Sequence, residues 1–331
     1  MASQKNSTSL RSCSATESAT PSSVEGSQDT QLHQRKMKDL MESELTGATY
    51  FVDQTTEGGF LHVDPNTLQL VINDQDLVAT QQALQSGGNN SPFPDAASGF
   101  STESSSYEPV VNLLNKIIDT AKRHIPPSQN GPLSGLRFHH FKGTVSDRYD
   151  SIKGLKPDGV GVVGDLPNDD KLPPKRIKST DDKRLALSWD GIEIFVESKA
   201  SVKDMVRQSA TYARCSFLSN QRRSLSLGIG FQYKKLEAYI LAFHQAGLSS
   251  SRPLLITKPE DFNDLVAHIV GIISFKNESA YGLDTTRSDS DDLFCISNRY
   301  FKSVRLLHQR KTVRGRATLV HSLQGMYTRR F

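Results

Sequence analysis

The chain has 331 residues, of which 36% are apolar and 23% charged, and its formal net charge is +4. This is the composition of an ordinary soluble protein that buries the core of one large or two modest domains. No apolar run is long enough to span a bilayer, and the N-terminus lacks the apolar stretch of a signal peptide. We therefore expect a cytoplasmic or nuclear protein without a membrane partner.

The cysteines predict neither a disulfide framework nor a zinc site. Cys13, Cys215 and Cys295 are scattered along the chain, without CxxC pairing and without a histidine at ligand spacing. A reducing compartment is consistent with this usage.

The N-terminal third of the chain is expected to contain two different segments. Residues 1–35 are rich in Ser, Thr and Gln and almost lack large apolar side chains, so we predict that they are disordered. Short apolar groups return in residues 36–105, which we interpret as a packing extension that ends in a linker rich in Gly, Ser, Asn and Pro.

Helices and strands are predicted to alternate in residues 106–275. Val111, Leu114 and Ile118 fall on one face of a helix that Pro126 and Pro127 terminate. Further strands are predicted over residues 137–144, 159–163, 189–197, 225–232 and 236–243, and further helices over residues 201–218 and 262–273. This order predicts an α/β domain in which a mixed sheet is flanked by helices.

Residues 276–331 are predicted to form a polar connector followed by a basic, β-like tail. From Asn298 to the end there are nine Lys or Arg residues and no Asp or Glu. Such a tail could follow the phosphates of a nucleic acid, although a solvated basic segment is the commoner explanation of a charge run.

The residue types needed for metal-dependent phosphodiester hydrolysis occur at the ends of two predicted strands. Pro157-Asp158 begins one strand and Glu197-Ser198-Lys199 ends the next, which together spell P-D-x(n)-E-x-K. Residues two apart on a strand point to the same side, so a neighbouring strand can bring Asp158 beside Glu197 and Lys199. The two carboxylates are hard oxygen ligands for Mg²⁺ or Mn²⁺, and the ammonium can orient or deprotonate an attacking water.

Two further residues are weaker candidates for catalytic roles at this site. Glu108 lies in the first turn of its predicted helix, where the helix dipole alone favours an acidic residue. Gln208 lies in the helix after Lys199 and could point into the site, but a solvent-facing glutamine is an equally good explanation. Because short motifs also occur by chance, a local cluster of ion pairs without catalysis is the competing interpretation.

Several segments resemble the fungal-type protein kinase family, in the region that precedes its kinase lobes. The resemblance extends over residues 105–325. It rests on Lys156-Pro-Asp158, on Trp189 before the strand that ends with Glu197-x-Lys199, on the helix with Gln208 and Tyr212-Ala-Arg, and on Gln221-Arg-Arg. In addition, Tyr281-Gly-Leu-Asp-Thr-Thr286 is similar to that family's Gly-Phe/Tyr-Asp-Pro-Thr segment, and Arg314-Gly-Arg-Ala-Thr318 is similar to its Gly-Arg-Gly-Thr segment.

The resemblance implies a restriction-endonuclease-like domain of the PD-(D/E)xK type, followed by the entrance of a kinase domain. A kinase needs a phosphate-positioning lysine, an HRD-type loop and a DFG-type aspartate, and we expect none of them before Phe331. One hypothesis is therefore a nuclease-like domain that acts on nucleic acid with a divalent metal. The other is a catalytically inactive regulatory or interaction module whose partner is a pair of kinase lobes or another protein.

Overall fold

The structure, a computed structural model, describes residues 39–52, 63–86, 93–94, 98–143, 145, 155–164, 166, 187–244, 246–286, 293–296, 299–309 and 319–325. Residues 1–35, which are predicted to be disordered, lie outside these residues. So does the segment 314–318, which is part of the family resemblance. Within the described part of the chain, no helix has both the length and the apolar character that crossing a membrane requires.

The described residues form six helices and eleven strands. The helices are α1 (residues 39–45), α2 (Pro65–Ile72), α3 (Gln75–Ser86), α4 (Ser104–His124), α5 (Val202–Ser219) and α6 (Pro259–Ile273). The strands are β1 (Thr49–Val52), β2 (Leu136–His140), β3 (Gly159–Val163), β4 (Ile194–Lys199), β5 (Leu225–Gln232), β6 (Glu237–His244), β7 (Gly247–Ser251), β8 (Leu254–Leu255), β9 (Leu293–Ile296), β10 (Arg299–Gln309) and β11 (Leu319–Gly325). The predicted α/β class, with a mixed sheet flanked by helices, is confirmed.

Strand pairing places the end of β4 next to the beginning of β3. The large sheet has the order β1-β7-β6-β5-β4-β3-β2, with β8 paired to β6, and β9 to β11 form a separate antiparallel sheet. β4 runs parallel to β5 and antiparallel to β3, with Gly159 opposite Val196. Asp158 precedes β3 and donates its backbone N–H to the carbonyl oxygen of Val196 at 3.1 Å. Asp158 and Glu197 consequently lie at the same edge of the sheet.

Helices cover both faces of the large sheet and create two apolar cores. Residues of α4 and α6 pack in the first core, and residues of α5 pack in the second. Along β4, Ile194 and Val196 belong to the first core and Phe195 belongs to the second. Because side chains alternate along a strand, Glu197 lies on the same face as Phe195, the face that α5 covers.

The N-terminal segment extends this sheet at one edge. β1 pairs in parallel with β7, with Thr49 opposite Leu248. Met41 and Leu45 of α1 are buried, and so is Ala48 between α1 and β1. The edge of β7 is therefore paired with another strand, which satisfies its backbone groups.

Some predicted elements begin or end at different residues. The predicted strand 189–197 starts instead as a 3₁₀ turn, Trp189–Gly191, because the N–H of Gly191 bonds to the carbonyl oxygen of Ser188 and the buried indole of Trp189 stacks on Tyr212. Within the predicted packing extension the structure has the two helices α2 and α3. Asp64 starts α2 by accepting the N–H of Thr67 at 2.9 Å.

Gly228 in β5 leaves the space that the ring of Phe195 occupies. An added Cβ would lie 2.1 Å from Cε2 of Phe195, a ring that is buried against Tyr212 and Phe243. We expect Gly228→Ala to lower the free energy of unfolding by about 1–3 kcal/mol through overpacking, measured by urea denaturation. In the control, Gly191→Ala, the new Cβ makes an ordinary 3.8 Å contact with Leu187. Equal stability of the two variants would contradict this packing.

Candidate active site at the ends of strands β3 and β4

The structure brings together the three residues on which the sequence argument rests. Nζ of Lys199 lies 2.7 Å from Oε1 of Glu197 and 3.7 Å from Oδ2 of Asp158. The same Asp158 oxygen accepts the backbone N–H of Ser198 at 2.9 Å, which fixes the carboxylate against the end of β4. We call Asp158, Glu197 and Lys199, together with Glu103, the acidic cluster.

Glu103 is the fourth member, and sequence reasoning missed it. Its Oε1 lies 2.6 Å from Nζ of Lys199 and accepts a hydrogen bond from the Tyr107 hydroxyl at 2.8 Å. The predicted candidate on this helix, Glu108, is exposed instead. The helix starts earlier than predicted because Thr102 and Ser105 exchange backbone-to-hydroxyl hydrogen bonds across its first turn. That Thr-x-x-Ser pattern directly around Glu103 is the signal that could have identified it.

Gln208 reaches the cluster through Tyr212. Its Nε2 donates to the Tyr212 hydroxyl at 2.6 Å, and that hydroxyl donates to the carbonyl oxygen of Lys156 at 2.9 Å. The Tyr212 ring is fully buried and stacks on Trp189. Burial, followed by the charge of Glu197, raises the pKa of Tyr212 well above its usual range, so the phenol stays neutral. From the sequence, only the family resemblance points to Tyr212.

Burial dominates the electrostatics of the cluster. Glu197 is 0% exposed, and burial together with the charge of Asp158 raises its pKa to about 8, against the opposing effect of Lys199. Burial also raises the pKa of Asp158. The pKa of Lys199 is lowered by burial, but the charges of Glu197 and Asp158 outweigh this effect and raise it overall. The ammonium therefore stays protonated at neutral pH.

The cluster contains more carboxylates than cations. Three carboxylates surround one ammonium, and neither oxygen of Glu197 accepts a hydrogen bond of normal geometry from a described residue. In a buried site such an excess of negative charge requires either a bound proton or a further cation.

Asp158 and Glu197 carry the kind of oxygen ligand that a divalent ion prefers. No group of three or more His, Cys, Asp or Glu side chains is arranged to hold a metal among the residues that the structure describes. Mg²⁺, however, is commonly bound by one or two carboxylates, with water and substrate phosphate as the remaining ligands. The two carboxylates are consistent with that kind of site, and Oε1 of Glu197 already lies 2.7 Å from Nζ of Lys199.

The first turn of α4 packs against the end of β4, next to the cluster. The hydroxyls of Ser106 and Ser198 share a buried hydrogen bond of 2.7 Å. The turn between β5 and β6 holds the preceding segment, since the N–H of Tyr233 donates to the carbonyl of Lys199 and its carbonyl accepts the N–H of Phe100. The side chain of Lys199 consequently remains only 17% exposed.

Comparison with known proteins supports a relationship to one family. The family model described as fungal protein kinase matches residues 174–326, which include Glu197, Lys199, Gln208 and Tyr212 but not Asp158. Neither a curated protein nor a solved structure matches the chain. The resemblance to the fungal protein kinase family is thus confirmed over these residues, and a nuclease-like domain stays a prediction.

Glu197 should make the stability of the protein depend on pH. The pKa of Glu197 rises from an ordinary 4.5 to about 8 on folding. The protonated carboxyl therefore stabilises the folded state fully below pH 4.5, and this contribution is lost as the pH rises through 8. One such group contributes a slope of up to about 1.4 kcal/mol per pH unit. Glu197→Gln should flatten the fall in unfolding free energy between about pH 5 and pH 8.

The experiment is urea denaturation across that pH range in the presence of EDTA. Glu260→Gln is the control, because Glu260 is 70% exposed and should leave the wild-type slope unchanged. Parallel pH profiles for the wild type and Glu197→Gln would show that Glu197 does not titrate in this range.

Proposed function

We propose that the chain is a nuclease-like region of a fungal protein kinase family protein, and that residues 106–275 hydrolyse phosphodiesters with Mg²⁺ or Mn²⁺. The observation that supports this proposal most strongly is the convergence of two buried carboxylates and one lysine at the beginning of β3 and the end of β4. The sequence contains neither an HRD nor a DFG motif, so we assign no kinase activity to these residues. The cytoplasm or the nucleus is the compartment that we infer.

Each residue of the cluster has a separate part in this proposal. Asp158 and Glu197 would hold the cation, which supplies a Lewis acid for the phosphate and lowers the pKa of the attacking water. Glu197 would give up its proton when the cation binds. Lys199 keeps its proton because its pKa is raised, so its ammonium stabilises negative charge on the phosphate and orients the water instead of acting as a base. Glu103 positions that ammonium.

Cleavage of nucleic acid should depend on the cluster. In the presence of Mn²⁺ we expect the purified chain to cut single-stranded DNA or RNA, and Asp158→Asn and Lys199→Met each to reduce the rate by at least about 100-fold, as is typical when a group that stabilises developing charge is removed. Glu260→Gln, which removes an exposed carboxylate on α6, should cut at the wild-type rate. Cutting that survives in both cluster variants would indicate a contaminating nuclease and would contradict the proposal.

A second candidate function is a catalytically inactive module that packs against kinase lobes or another protein. Two contacts of the cluster favour this candidate. Glu103 already forms an ion pair with the Lys199 ammonium, and Ser106 at the start of α4 forms a buried hydrogen bond with Ser198 beside the site. In that case the charges stabilise the domain and bind no cation.

Binding of Mn²⁺ separates the two candidates without any assay of activity. In the nuclease, calorimetric titration near pH 7 should show binding with release of about one proton, because Glu197 must ionise to become a ligand. Glu197→Gln should abolish both signals, whereas Glu260→Gln should keep them. Absence of binding to the wild type would rule out the metal site and leave the inactive module.

A further inference from the structure

A group of basic and aromatic side chains lies beside the acidic cluster, at the same edge of the sheet. β2 and β3 are antiparallel, with His140 opposite Gly159. Their pairing continues beyond the strands, since the N–H of Phe141 donates to the carbonyl of Asp158 at 3.3 Å. Lys142 and the residues just before Asp158 therefore face each other across the same two-stranded ribbon.

Lys142 and Lys156 are both exposed on this ribbon. Among the described residues, neither ammonium has a carboxylate within ion-pair distance. The ring of His140 lies 5.4 Å from the ring of Tyr107, whose hydroxyl contacts Glu103 of the cluster. We call Lys142, Lys156, His140 and Tyr107 the basic rim.

The charges around His140 support this arrangement. Burial lowers the pKa of His140, and the positive charges of Lys142 and Lys156 lower it further, while Asp158 and Glu108 act in the opposite direction. Both lysines therefore add positive charge around the ring, and the ring is neutral at physiological pH.

We propose that the basic rim binds a single-stranded nucleic acid, with Lys142 and Lys156 on its phosphates and the paired rings of His140 and Tyr107 against an unpaired base. This inference rests on the proposed function, because the rim borders the candidate active site. Exposed ammonium groups beside aromatic rings are the combination that single-strand binding uses.

The depth of the site favours a single strand over a duplex. Asp158 is 8% exposed and Glu197 is 0% exposed. A duplex is a wide, stiff cylinder that holds its phosphates on its outer surface, so it must be bent or unwound, at a cost in free energy, to bring one of them into a recess. A single strand is narrow and flexible enough to bring a phosphate across the rim towards the carboxylates.

The test measures the binding of a fluorescein-labelled single-stranded DNA to the full chain in EDTA. Fluorescence anisotropy gives the affinity at several salt concentrations. Each phosphate contact on a single strand contributes about 0.7 to the slope of log affinity against log salt. The double variant Lys142→Ala/Lys156→Ala should therefore reduce the slope by about 1.4. The matched control is Lys258→Ala/Lys276→Ala, which removes two exposed lysines that flank α6.

The outcomes separate the rim from the nuclease. An unchanged slope in the rim variant, an equal reduction in the control, or equally tight binding of duplex DNA would each overturn the rim proposal. Binding with the expected slopes but without Mn²⁺-dependent cleavage would leave the rim standing and remove the proposed function. Any contribution from the basic tail is the same in all variants, so the difference in slope reports the rim alone.

Discussion

The arrangement of this domain depends on the ion pairs that the ammonium of Lys199 forms. This ammonium lies within ion-pair distance of carboxylates from the end of β4, from the residue before β3 and from the residue before α4. Removing it would leave buried carboxylates without a counterion, which costs far more than an exposed ion pair contributes. One side chain thus fixes how a helix and two strands meet at the site.

Backbone contacts around this ion cluster keep its members in register. Asp158 is tied to β4 twice, by its own N–H on Val196 and by its carboxylate on the N–H of Ser198. Tyr233 connects the carbonyl of Lys199 with the segment that leads into α4. These bonds lie on strands and on a short turn, so the cluster is held by the more rigid parts of the sheet.

The sequence predicts the parts of this site that local patterns specify. Alternation along β4 and the two-residue spacing in Glu197-x-Lys199 place both side chains correctly, because strand geometry alone determines them. Glu103 was missed because the start of α4 depends on hydroxyl hydrogen bonds that shift the helix by about one turn. The pairing of β1 with β7 was missed because contacts between residues so far apart in sequence leave no local signal.

The excess of negative charge in the cluster has consequences for both stability and function. With the cation absent, Glu197 keeps a proton up to a pH of about 8, and each step towards ionisation weakens the folded state. A divalent cation would have to displace that proton, so the same raised pKa would lower the apparent affinity of the site for a metal below about pH 8. The nuclease and the inactive module therefore differ in one physical respect, which is whether a cation or a proton neutralises Glu197.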